Sequence, residues 1–214
     1  MGRKPLLLSY GAALSAMLGA QGQVEIGPLA GVNRSITVIG EQFAKRSASP
    51  GWMVGALVRF GGRAFAEASP QFITVSEMTE GMEKLRPLAP GESPSLRGKL
   101  SVRYLQMPVM ACFKVYQQED LNVHVGMGGT FAFLTGLRQN PFLLQREDFH
   151  TTDVAVTGKA GVDFNRFIVD FQYAYGLNPR LRHTASRMQV ISFQVAYKLW
   201  GQFVMRRAAS IFPG

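Results

Sequence analysis

The feature that most constrains this chain is an apolar and polar alternation of period two that runs through almost all of it. Successive side chains of a β-strand point to opposite faces, so this pattern reads as strands with two unlike faces. Repeats at i, i+3 and i+4, the mark of amphipathic helices, are nearly absent. In residues 188 to 200, Ile191, Phe193, Val195, Tyr197 and Leu199 fall on one face and Ser192, Gln194, Ala196 and Lys198 on the other. Residues 166 to 177 set Phe167, Val169, Phe171, Tyr173, Tyr175 and Leu177 against Asp170, Gln172, Ala174 and Gly176. Residues 121 to 133 and 153 to 164 repeat the division. Earlier strands are noisier: Val24 to Asn33, Trp52 to Phe60, Ala64 to Val75 and Lys99 to Tyr116. In the last the phase changes near Tyr104 and Leu105, which predicts a bulge, and Pro108 on its polar face removes a ladder hydrogen bond. The total is eight strands.

Connections alternate between long and short. Residues 34–51, 76–98, 135–152 and 178–187 are long and rich in Gly, Pro, Ser, Asn and charge, whereas Gly61 to Arg63, Gln117 to Asp120 and Asn165 are tight turns. An even number of antiparallel strands with turns at one end and long loops at the other predicts an all-β fold, an eight-stranded antiparallel up-and-down transmembrane β-barrel. A lipocalin-like carrier would alternate in the same way with its apolar face inside, so composition has to choose. The polar face carries about one charge per strand and is filled out with Gly and Ala, which is thin for a surface in water. Trp52, Phe60, Tyr173, Tyr175, Tyr197 and Trp200 lie toward strand ends, where rings suit a lipid interface. The membrane barrel is therefore the reading adopted.

Residues 1–22 run from the cations Arg3 and Lys4 through an apolar stretch, Leu6 to Gly19, to Ala20-Gln21-Gly22, which predicts a cleaved export signal. The expected organisation is signal peptide 1–22, barrel 23–200 and a basic periplasmic tail 201–214, both termini being periplasmic. Twenty-three Lys and Arg against fourteen Asp and Glu give a net charge of +9, and export directs it toward anionic lipid or lipopolysaccharide rather than nucleic acid. The single Cys112 excludes an intramolecular disulfide.

Eight strands leave a lumen only wide enough for side chains. The inward set holds Arg59, Lys114, Lys159 and Lys198 together with Glu25, Glu67, Asp163 and Asp170, a nearly balanced group that predicts a paired plug and no steady conductance. His124, on the same face, is expected as a hydrogen-bonded member of the plug. His183 and Ser186 lack the i, i+2 spacing of neighbours on one strand face, and one Cys with three scattered His offers no metal site. No enzyme activity and no cofactor are expected. Gly126 to Gly129 lies mid-strand without a following helix, so relief of crowding in the lumen explains it better than a phosphate loop. Arg138, Arg146, Arg180, Arg182 and Arg187, with Lys45 and Arg46, fall in the long loops, where they either bind lipopolysaccharide phosphates or form an ordinary solvated face.

Residues 104–116, Tyr-Leu-Gln-Met-Pro-Val-Met-Ala-Cys-Phe-Lys-Val-Tyr, resemble the Tyr-Leu-Glu-Ile-Pro strand of PorT-type outer-membrane barrels of the Bacteroidetes. The Gly-rich strand from Val125, the segment Gly158 to Phe164, Phe171 to Asn178 and the closing Phe193 to Leu199 follow in the same order, so that the likeness covers residues 24 to 199. Gln106 replaces the usual acidic residue, and the tail from Gly201 to Gly214 extends past the last strand. The resemblance implies an outer-membrane protein without catalytic residues, some such proteins serving a gliding-associated secretion system. The expected function is thus a structural or accessory subunit of an envelope assembly, with Arg206 and Arg207 as partner contacts. The alternative is a free-standing barrel that binds lipopolysaccharide or a small ligand through its basic loops.

Overall fold

The computed structural model describes residues 23–38, 46–80, 97–139, 145–179 and 187–199. Its strands are β1 (Gln23–Val38), β2 (Arg46–Gly61), β3 (Ala64–Ala68), β4 (Gln71–Glu80), β5 (Arg97–Gln117), β6 (Leu121–Gln139), β7 (Thr152–Phe164), β8 (Phe167–Gly176) and β9 (Arg187–Tyr197). Every pairing is antiparallel, and β1 pairs with both β2 and β9, which closes the sheet into a ring. Both β3 and β4 pair with β2 on one side and β5 on the other, so they are two halves of one stave and the ring has eight. The stave breaks at Ser69–Pro70 because proline has no N–H to donate. The ladder is carried across the break by Ser69 N–H donating to Pro108 O (3.1 Å) and Ala56 N–H donating to Pro70 O (3.0 Å).

The expected tight turns close β2 to β3, β5 to β6 and β7 to β8. The last is made by Asn165 at φ 52°, a left-handed conformation that asparagine tolerates. Toward the loop end the strands run further than the alternation predicted: β1 continues to Val38, and β5 begins at Arg97. Register shifts interrupt β5 between Ser101 and Val102 and between Arg103 and Tyr104, where the change of phase placed a bulge.

A further bulge lies in β2 between Ser49 and Met53, opposite β4. It displaces the ladder near Thr74, and Asn33 on β1 crosses over to donate from Nδ2 to Thr74 O at 3.1 Å. Gly51 is what lets it cross: it pairs with Asn33, and a Cβ there would collide with both Thr74 O and the Asn33 amide. Ser35 Oγ repeats the bridge one step further, to Ser76 O at 3.2 Å.

The two faces of the wall fall as composition indicated. Val32, Trp52, Phe72, Phe113, Met127, Phe131, Phe171 and Phe193 are exposed on the outside, while Arg59, Glu67, His124, Lys159, Asp163 and Asp170 are buried within. A large apolar exterior around a polar interior is the reverse of a lipocalin and suits lipid. Some large apolar residues do face inward, among them Leu29, Met53, Leu57, Ile73 and Val75. These five lie in β1, β2 and β4, strands whose alternation is blurred because both faces carry apolar residues.

Candidate functional site

The turn end of the lumen is built around Arg59, which stands two residues before Gly61, where β2 ends, and is only 2% exposed. Its Nε donates to Glu67 Oε2 at 2.7 Å, and its Nη1 to Asp163 Oδ1 at 2.9 Å and Oδ2 at 3.1 Å. Asp170 lies 3.7 Å from Nη2 and Glu25 3.8 Å from Nη1. Lys159 Nζ joins the same carboxylates, donating to Glu67 at 2.6 and 2.7 Å and to Asp170 Oδ2 at 2.8 Å. Lys198 closes the lower side, 3.3 Å from Asp163 and 3.5 Å from Glu25. These seven side chains come from β1, β2, β3, β7 and β8 and from the residue just after β9, so the network ties most of the ring together.

His124 is fully buried among them, with Nε2 at 2.8 Å from Asp170 Oδ1 and 3.2 Å from Arg59 Nη2. Its ring meets Phe65 edge to face at 5.7 Å. Gly161 makes room for this contact, since a Cβ there would collide with Asp170 Oδ1 and His124 Nε2. Lys114 faces the lumen but stands apart: its Nζ lies 5.8 Å from the Phe65 ring centre, and among the described residues it forms no ion pair. A buried ion pair repays its desolvation only when the geometry is close and the remaining donors are satisfied. Arg59 and Lys159 meet that condition, each being held by more than one carboxylate.

Above the network the lumen is first polar, with Thr130 and Thr157 hydroxyls 2.6 Å apart and Gln194 Nε2 donating to Gln172 Oε1 at 3.0 Å. It then turns apolar. Met53, Ile73, Val75, Leu100, Val102, Tyr104, Ala132, Leu134, Phe149 and Val190 pack as one cluster at the loop end. Phe149 reaches it from a loop, just after a short 3-10 turn, Arg146–Asp148, and is 1% exposed. The turn is fixed by Gln145 N–H donating to Asp148 Oδ2 at 2.7 Å and by Arg146 Nη2 donating to Leu134 O at 3.1 Å. Beside this cluster an apolar cavity of about 20 Å³, lined by Tyr104, Ala132, Ala174 and Met188, has room for about one water.

The expected lumen residues are therefore together, except for Lys114. The basic loop residues are not one patch. Arg138 is exposed at the end of β6, and Arg146 is exposed while its guanidinium is spent on Leu134 O. Arg187 donates from Nη1 to Tyr175 Oη at 3.2 Å. Arg180, Arg182, Arg206, Arg207, Lys45, His183, Ser186 and Trp200, with the signal segment and the tail, lie outside the described residues. Phe149 was not foreseen as a plug. The one sequence signal for it is a large aromatic directly after the polar run Gln145 to Asp148.

The solved structure of the outer membrane protein OprG from Pseudomonas aeruginosa is similar at a TM-score of 0.50 and 12% identity, covering 85% of this chain and 97% of that one. Neisserial surface protein A is similar at 0.46 and 10%, covering 81% and 96%. Ail, the attachment invasion locus protein of Yersinia pestis, solved with the heparin analogue sucrose octasulfate, is similar at 0.44 and 14%, covering 83% and 98%. No curated protein matches the chain. The family model described as "Outer membrane protein beta-barrel domain" matches residues 16–182. With a closed ring of eight antiparallel staves, an apolar outer wall and that match over most of its length, the chain belongs to the outer-membrane β-barrel protein family and is a protein of the outer membrane.

Proposed function

We propose that this barrel is a closed, non-enzymatic outer-membrane protein that acts as a structural or accessory subunit of an envelope assembly, as its likeness to PorT-type barrels suggests. The observation that carries the reading is the filled lumen. Among the described residues, seven paired side chains occupy the turn end and an apolar cluster capped by Phe149 occupies the loop end, which supports a lumen closed to a diffusing solute. A barrel with a filled lumen acts through its wall, its loops or its tail. In this reading the turns and both termini face the periplasm, and Arg206 and Arg207 of the tail meet a periplasmic or membrane partner. A mild-detergent pull-down of tagged protein from native outer membranes tests it. Recovery with stoichiometric envelope proteins supports an assembly subunit, and recovery alone rejects it.

The second reading is a lone barrel that binds lipopolysaccharide through its loop end. The exposed Arg138 supports it. Loss of co-purified lipopolysaccharide on Arg180→Ala with Arg182→Ala is the outcome it expects, and an unchanged lipid content rejects the part assigned to those loops.

A further inference from the structure

The outer wall changes character abruptly along β4 and β5. One rung across four strands, Val54, Phe72, Leu105 and Phe133, is exposed and apolar. Two residues further toward the loop end, a rise of about 7 Å, the same face of β4 and β5 carries Thr74 opposite Arg103. The next step carries Ser76 opposite Ser101, and the next Met78 opposite Lys99. Ile73, Val75, Leu100 and Val102, on the other face, belong to the lumen cluster, so the polar series lies on the face turned away from it.

At this level there is a recess of about 160 Å³, lined among others by Trp52, Thr74, Ser76, Ser101, Lys99 and Arg138. Ser76 and Ser101 are 2% exposed, with their hydroxyls 3.1 Å apart. Lys99 and Arg138 are exposed, and among the described residues neither meets a carboxylate. An exposed Trp beside the last apolar rung marks the depth at which hydrocarbon gives way to headgroups. Two cations that meet no carboxylate among the described residues, with the one hydroxyl proton that the Ser76 and Ser101 hydrogen bond leaves free, form a donor set at headgroup depth for a phosphate monoester.

We propose that this recess binds a phosphate of the lipid A headgroup in the outer leaflet, with Lys99 and Arg138 supplying charge and the hydrogen-bonded Ser76 and Ser101 pair one hydroxyl donor. The assignment rests on the reading that the loop end faces outward. It extends that reading to a site on the wall in which Arg138 is joined by Lys99 and by the Ser76 and Ser101 pair of β4 and β5.

The test uses the full-length protein in detergent, with bis-phosphorylated lipid A, dephosphorylated lipid A and inorganic phosphate as probes, and native mass spectrometry as readout. The expected result is retention of bis-phosphorylated lipid A, about tenfold weaker retention of the dephosphorylated form, and a similar loss in Lys99→Gln/Arg138→Gln. A heat-shifted gel band establishes that the double variant is folded. Unchanged retention in that variant overturns the site. Inorganic phosphate binding as tightly as the lipid would overturn the lipid assignment and leave a general anion site. Orientation is read separately by labelling Glu147→Cys and Glu119→Cys on intact cells with an impermeant maleimide. Labelling at 147 alone supports an outward loop end, and labelling at 119 alone rejects that orientation and this proposal with it.

Discussion

At the turn end of the lumen Arg59 and Lys159 each meet more than one carboxylate within 3 Å or so, whereas at the loop end Tyr104, Leu134, Phe149 and Val190 pack together in an apolar cluster. The backbone accounts for the division. At the turn end the hairpins are tight, and the registers of β1 with β2 and of β8 with β7 and β9 run unbroken. Strand positions there are fixed well enough to hold hydrogen bonds of 2.6 to 3.1 Å. At the loop end β2 and β5 carry three register shifts. Apolar contact is non-directional and tolerates an irregular wall, and an ion network does not. The fourth shift, between Lys114 and Tyr116, is the exception at the turn end. A bulge re-aims the side chains beside it, and Lys114 is the one expected network cation left on an aromatic face instead of a carboxylate.

The largest effect is expected at the charged end. Arg59→Ala leaves Glu67 and Asp163 buried without their shared cation and is expected to cost about 3–5 kcal/mol, read as a lower urea midpoint in detergent and a lost heat shift on gels. Phe149→Ala at the apolar end removes a large side chain from a region whose loop can partly collapse. Its cost is expected near the lower bound for such truncations, about 3 kcal/mol, with the turn end unchanged by amide exchange. Gly51→Ala places a methyl against Thr74 O and Asn33, and should cost about 1–3 kcal/mol, with faster exchange confined to β2 and β4. Lys114→Met sharpens the comparison from below: the shift in urea midpoint should correspond to under about 1 kcal/mol, as for a cation with no close partner. A penalty equal to that of Lys159→Met would mean that the two lysines are alike, and that the bulge does not separate them.

Legibility in the sequence followed the same division. The strands β6 to β9 read cleanly because most of their inward positions, such as His124, Thr157, Asp170 and Gln194, are polar or small, Leu134, Ile168 and Val190 being exceptions, while their outward ones are large and apolar. In β1, β2 and β4 the inward Leu29, Leu57 and Val75 belong to apolar clusters inside the barrel, so hydrophobicity alone marks neither face. The members of the ion network were readable, because a charge on the inner face of a narrow barrel needs a partner. Which carboxylate meets which cation was not, since that follows from strand stagger, and pairs such as Arg59 with Asp163 lie 104 residues apart. The recess at the rim was invisible because Ser76, Ser101 and Lys99 are ordinary loop-edge residues until β4 and β5 are aligned.

A lumen filled from end to end passes no steady current, which single-channel recording of the purified protein in planar bilayers measures. The expected trace is flat at all holding potentials for the parent protein, with brief openings appearing in Arg59→Ala/Phe149→Ala, in which both ends are weakened. Large, steady channels from the parent protein would contradict the account.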